Sequence, residues 1–173
     1  PRSMKKPYAS KKDYQILNSL DFKRRAINNS LKPSDINPDD YIAIYYTGGH
    51  GVLWDFPKNL ELKEIAEKIY HNGGYVCSVC HGLVGLLNLK DYNDKYLIDG
   101  RNITGFTDEE EKLGGKGDKV PYSSEQEAKY RGANFVKTLP YTPNAIKCGR
   151  IITGQNPFSG KAVARELLKA LDK

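Results

Sequence analysis

One stretch limits what this chain can fold into more than any other. Gly74-Tyr75-Val76-Cys77-Ser78-Val79 is a short β-rich apolar run, and it passes without a break into Cys80-His81-Gly82-Leu83-Val84-Gly85-Leu86-Leu87. The second half is apolar, rich in small residues and predicts a helix. A strand that turns sharply into a helix exposes the residue at the turn, and a small neighbour such as Gly82 keeps that turn free of clashes. The first helical N–H groups are unpaired and carry partial positive charge, which favours thiolate over thiol. Cys80 is therefore expected to be an activated cysteine on a nucleophile elbow. The competing reading, a small buried hydrophobe, suits Cys77, which lies within the strand.

Composition narrows the class. At 173 residues, 39% hydrophobic and 28% charged, the chain suits one globular domain with a real core. No apolar run is long enough to span a bilayer and no signal-peptide pattern is present, so no membrane partner is expected. Three cysteines, an odd number, argue against a disulfide framework and for a reducing cytoplasmic setting. Cys77 and Cys80 spell C-x-x-C, but the redox form of that motif needs both thiols near a helix start. The net charge of +6 is uneven: residues 1–32 hold nine basic and two acidic side chains, and the remainder 18 basic and 19 acidic. With no reading motif or interleaved aromatics, this is a solvated basic arm over residues 1–36, packing on the domain, and no nucleic-acid partner is expected.

Along the chain, residues 1–40 predict one or two short helices or an extended arm, and Pro1-Arg2-Ser3 ahead of Met4 reads as the interior of a longer protein, with an expression remnant before Met4 as the alternative. Tyr41–Tyr46 predicts a buried strand that ends in Thr47-Gly48-Gly49-His50-Gly51. A helix is expected over Leu60–His71, stopped by Asn72-Gly73-Gly74. Asn102–Phe106 predicts a strand, and Thr107-Asp108-Glu109-Glu110 opens a helix as a capping box. A glycine-rich loop over Leu113–Asp118 leads to an exposed helix over Ser123–Gly132 and a short strand over Asn134–Thr138. Ile146–Thr153 holds a turn at Cys148-Gly149-Arg150. A last amphipathic helix over Ser159–Leu171 should face Ala162, Val163, Leu167, Leu168 and Leu171 inward. Strands alternating with helices mean an α/β fold with a largely parallel sheet, in one domain over 1–173.

Gly48 and Gly49 follow a strand at the carboxyl edge, where open α/β sheets place their sites. Their backbone N–H groups, together with that of His81, would form an oxyanion hole beside Cys80. His50 reads equally as a pocket rim or as a packed histidine. His81 adjoins the nucleophile in sequence, so it cannot be assumed to take the thiol proton. Asp108 and Glu111 lie just beyond a strand end, where one of them could meet His81. No two histidines share helical ligand spacing and no second cysteine pair exists, so neither a metal nor another cofactor is expected.

These residues carry a resemblance. Tyr46-Thr47-Gly48-Gly49-His50-Gly51 with Trp54-Asp55-Phe56-Pro57, Val79-Cys80-His81-Gly82, Ile103-Thr104-Gly105-Phe106-Thr107-Asp108-Glu109-Glu110-Glu111 and Ile152-Thr153-Gly154-Gln155-Asn156-Pro157 resemble the ThiJ/PfpI superfamily, whose fold is that of class I glutamine amidotransferases. Within it the chain is most similar to the branch of heat-shock holding chaperones with glutathione-independent glyoxalase (glyoxalase III) activity. The likeness runs from about residue 35 to the end. It implies a flavodoxin-like sandwich that lacks the family's first β-α unit, either because the natural protein is truncated or because another chain or a separate N-terminal fragment supplies that unit. It implies Cys80 as nucleophile, His81 as its neighbour in the triad, Glu111 or Asp108 as the acid that orients His81, and Gly49 and His81 amides as the oxyanion donors. The family's further general acid/base glutamate has no match in this sequence, and Leu83 stands where the branch usually has proline.

The implied function is conversion of methylglyoxal, a small 2-oxoaldehyde, to lactate without glutathione, or a related deglycase activity, by a cytoplasmic homodimer. The enzyme would be a hydro-lyase, active if the missing glutamate-bearing segment is supplied. Two alternatives use the same elbow. One is a stress-response holding chaperone or redox sensor that binds unfolded clients without turnover. The other is a cysteine amidohydrolase or peptidase.

Overall fold

The computed structural model describes residues 4–172. Pro1, Arg2 and Ser3, part of the opening read as a longer protein's interior, lie outside the described residues. The chain divides into two compact units, 1–36 and 37–173.

In the first unit, Ser10 caps helix α1 (Lys11–Asn18) and exchanges hydrogen bonds with Asp13 in a capping box. Helix α2 (Leu20–Phe22) is capped by Ser19 and continues as a π-turn over Lys23–Ile27. None of these helical segments buries a residue.

The second unit is built on a four-stranded sheet ordered β1 (Ala43–Tyr46), β2 (Tyr75–Val79), β6 (Ile151–Gly154), β5 (Ala145–Cys148). The first three run parallel, with Tyr46 opposite Ser78 and Val79 opposite Gly154, and β5 closes antiparallel on β6 through the turn at Gly149. A small parallel pair, β3 (Asn102–Ile103) and β4 (Asn134–Phe135), stands apart. The period of two along the strands sorts the core into two layers. Val76 and Ile151 face a large cluster with Tyr46, Ala66 and Tyr70, whereas Cys77 and Ile152 face a smaller one with Val163 and Leu167. After the short helix α3 (Val52–Asp55), helix α4 (Leu60–His71) covers the first face and helix α7 (Gly160–Leu171) the second. The expected α/β fold with a largely parallel sheet is the observed one.

Several expectations change for identifiable reasons. The buried strand at 41–46 is an edge strand, so only Tyr46 is fully buried and Ile42 lies open. In α7 the buried stripe runs through Val163, Leu167 and Ala170 at helical spacing, which turns Leu168 and Leu171 outward. Only two residues of the run Asn102–Phe106 pair as a strand. Beyond them Thr104 donates its N–H to Thr153 Oγ1 (2.9 Å) and Phe106 donates to the Cys80 carbonyl (3.3 Å). Helix α6 (Ser124–Tyr130), expected to be exposed, buries Ser124, Glu125 and Ala128. Burial of Glu125 raises its pKa, but hydrogen bonds from Lys129, the Asp108 amide and Lys137 outweigh it and hold the group below its ordinary value.

The helix expected after β2 is a tight 3-10 run, Cys80–Leu86, with every residue buried. Its three-residue turn stacks positions i and i+3, which places Gly82 and Gly85 in line against Tyr46. A Cβ at Gly82 would lie 2.2 Å from the Tyr46 carbonyl oxygen and 2.7 Å from that of Thr47, both rigid backbone atoms. Gly82→Ala is expected to destabilise the fold by about 2–4 kcal/mol. Chemical denaturation reads this as a lower midpoint; an unchanged midpoint would mean that the turn can lift away from β1.

Candidate active site

The carboxyl ends of β1 and β2 bring Thr47–Gly51 beside Cys80. Cys80 has φ +59°, a left-handed conformation that costs a non-glycine residue about 1–2 kcal/mol. The turn is tied in place by the Phe106 N–H, which donates to the Cys80 carbonyl. Gly48 must be glycine, because a Cβ there would lie 2.8 Å from Cys80 Cβ and 2.9 Å from the Val79 carbonyl oxygen.

The expectation of a resting thiolate is not met. Burial pushes the Cys80 thiol up to about 12; the His81 and Gly49 amides oppose this, while the charges of Glu110 and Glu111 add to it. The helix start cannot overcome burial, because the following segment is one short 3-10 run. Cys80 therefore rests as a thiol, and what matters is which group takes its proton. Cys77, fully buried in β2, is likewise pushed up to about 12 by burial. All three cysteines are free.

His81 is the acceptor within reach. Its Nδ1 lies 3.3 Å from Cys80 Sγ, even though the two residues are consecutive. The left-handed turn at Cys80 abandons the alternation of a strand, so adjacent side chains meet instead of pointing apart. Its Nε2 lies 2.7 Å from Glu111 Oε2. Burial lowers the His81 pKa, against the raising effect of the Glu111 hydrogen bond, and the imidazole is neutral near pH 7. A neutral ring that gives its Nε2–H to Glu111 keeps a lone pair on Nδ1, aimed at the thiol.

Glu111 also receives His50, with Nε2 at 2.8 Å from Oε1. The two imidazoles lie with centroids 4.3 Å apart, and Phe106 packs on His81 at 4.5 Å. The structure thus brings together Cys80, His81, Glu111, Gly48, Gly49 and His50. Asp108 is not part of that cluster: its carboxylate takes hydrogen bonds from Ser123 Oγ and, at 2.8 Å, Gln126 Nε2. It lines instead a cavity of about 540 Å3 whose walls include His81, Glu111, Leu53, Phe106 and Tyr122. His81, rather than Cys80, forms the wall of that cavity. Sequence reasoning missed the Phe106 stack and the His50–Glu111 link. Neither has a local spacing signal, because the partners come from different segments.

The DJ-1/PfpI family model matches residues 2–170. The chain belongs to the DJ-1/PfpI family. Among curated members it is 36% identical over 153 residues to "Glyoxalase 3" of Candida albicans, covering 85% of this chain and 65% of that protein. It is 38% identical over 145 residues to "Glutathione-independent glyoxalase HSP31" of Saccharomyces cerevisiae, covering 80% of this chain and 61% of that one. The chain therefore spans a little under two thirds of the length of these relatives. Its backbone matches the crystal structure of glyoxalase III from Candida albicans with a TM-score of 0.86 at 34% identity, over 98% of this chain and 74% of that one. The resemblance read from the four motifs is thus the family to which the chain belongs. No helix among the described residues is long and apolar enough to cross a membrane.

Proposed function

We propose that the chain carries the cysteine centre of a glutathione-independent glyoxalase that converts a 2-oxoaldehyde such as methylglyoxal to the 2-hydroxy acid. The observation that carries this reading is the continuous relay Cys80 Sγ–His81–Glu111, at 3.3 and 2.7 Å. As the sulfur adds to the aldehyde carbon, His81 Nδ1 takes the thiol proton and the oxygen is protonated to a hemithioacetal. The His81 and Gly49 amides, which favour negative charge at Cys80, receive the oxyanion. His81 then removes the proton from the former aldehyde carbon, giving an enediol, and a proton is delivered to the neighbouring carbon. The product is a thioester of lactate. Water hydrolyses it and restores the thiol, so one water is consumed overall and the reverse reaction is a dehydration, as for a hydro-lyase. Glu111 holds the imidazole in the productive tautomer.

Lactate formation from methylglyoxal, measured without glutathione, is expected to fall by at least about 10³-fold in Cys80→Ser. Turnover that survives the substitution would overturn the reading. A second reading, a holding chaperone for unfolded clients, is favoured by the apolar side chains that the first unit exposes among its basic residues, such as Leu20, Ile27 and Leu31. It is separated by the same variant, since suppression of client aggregation should be unaffected by loss of the thiol.

A further inference from the structure

We propose that His50, His81 and Glu111 form a binding site for a divalent cation of the zinc type. A ring nitrogen of each histidine and a carboxylate oxygen of Glu111 lie within 4.8 Å of one another, although they come from three separate segments of the chain. That separation in sequence is why ligand spacing predicts no such site. Two histidines and one glutamate with an open fourth position is a recurrent zinc set. Glu111 and His81 are buried, held by Phe106 on one side and by the elbow on the other, so two of the three ligands are pre-positioned. With zinc–nitrogen bonds of about 2.0–2.1 Å, tetrahedral ligands stand about 3.3 Å apart. With Glu111 binding through Oε1, the oxygen that His81 does not use, the 2.8 Å separation from His50 Nε2 must widen by roughly half an ångström. His50 can supply that movement, because its side chain is 44% exposed and follows a glycine pair. The cavity beside His81 and Glu111 gives the cation an entry path and room for a water or substrate oxygen as the fourth ligand.

The cation would take the two Nε2 positions that now donate to the carboxylate, and the single proton of each neutral imidazole would move to Nδ1. Metal and hydrogen-bonded relay therefore exclude each other. On the function proposed above, occupancy stops turnover. The binding claim stands apart from that function and is read without it.

Chelator-treated protein is titrated with Co2+, followed through its visible d–d absorption, and the cobalt is then displaced with Zn2+ in a calorimeter. One equivalent should bind. His50→Ala, or the milder His50→Gln, should weaken binding roughly 10²-fold without changing the far-UV circular dichroism, while Cys80→Ser should leave it intact. Binding that is absent in the parent, unchanged in both His50 variants, or lost with Cys80 overturns the site. If the parent turns over methylglyoxal, Zn2+ should inhibit it, a chelator should restore it, and His50→Ala should resist the inhibition. Tight, His50-dependent binding with no turnover in any form would refute the proposed function and leave the metal site standing.

Discussion

Glu111→Gln is expected to lower kcat/KM for the 2-oxoaldehyde by roughly 10²- to 10⁴-fold while moving the melting temperature by only a few degrees. The amide keeps the shape of the side chain and can still accept a hydrogen bond through its oxygen. Its nitrogen is a donor, however, and meets an imidazole N–H that also donates, either at His81 or at His50. The His81 ring then loses its reason to keep the proton on Nε2, and the lone pair aimed at Cys80 is lost in the alternative tautomer. The pH profile gives a second readout. On the proposed mechanism His81 acts as base when neutral, so activity should be present above its pKa and fall as pH drops through it. Glu111 raises that pKa, against burial and the nearby His50, with Glu110 also raising it. Removing the Glu111 charge should therefore move the acid limb of kcat/KM to lower pH while the plateau falls. Parental turnover in the variant, or an acid limb that moves upward, would refute the positioning role.

Glu110→Ala should act on stability, although the residue is the immediate neighbour of Glu111. Its fully buried carboxyl group accepts from the Thr107 N–H and hydroxyl at 3.1 Å, from the Tyr141 N–H at 2.7 Å, from Gln155 Nε2 at 3.2 Å and from Asn156 Nδ2 at 3.0 Å. These donors belong to the cap of helix α5 (Asp108–Leu113), to the loop before β5 and to the segment after β6. Truncation leaves several of them without an acceptor in a dry interior, an expected loss of about 3–5 kcal/mol. For a chain of this size that is a fall in melting temperature of roughly 10 °C. Glu110→Gln should not rescue it, because one end of an amide donates into groups that are all donors. A melting temperature within a few degrees of the parent's would show that water fills the site without penalty.

The two glutamates also mark the boundary between what the sequence conveys and what it does not. The capping box at Thr107 and Glu110 is legible because it is local: a hydroxyl and a carboxyl three residues apart satisfy the same orphan N–H groups in any context. The role of Glu110 as the acceptor for Tyr141, Gln155 and Asn156 is not, since no spacing rule joins positions 110, 141 and 155. Between Asp108 and Glu111 as partner of His81, local reasoning had no means to choose. The first turn of α5 made the choice, sending Asp108 to Ser123 and Gln126 and Glu111 to the histidines. Boundaries followed the same logic. Leu60–His71 is read to the residue because its cap, apolar spacing and glycine stop are all local. The helix after Cys80 is not, because the tightness of that turn answers to contact with Tyr46 on another strand.

The amino-acid order by itself therefore determined the α/β class, the cysteine at the end of the second strand, the glycines that let β1 approach it, and the family. Each of these rests on interactions between residues near in the chain, or on a pattern long enough to be specific. Tertiary structure alone decided that Cys80 rests as a thiol, that His81 can reach it, and that His50 shares its carboxylate. Burial and through-space charge set protonation, and those depend on segments far apart in the sequence that only folding brings within a few ångströms.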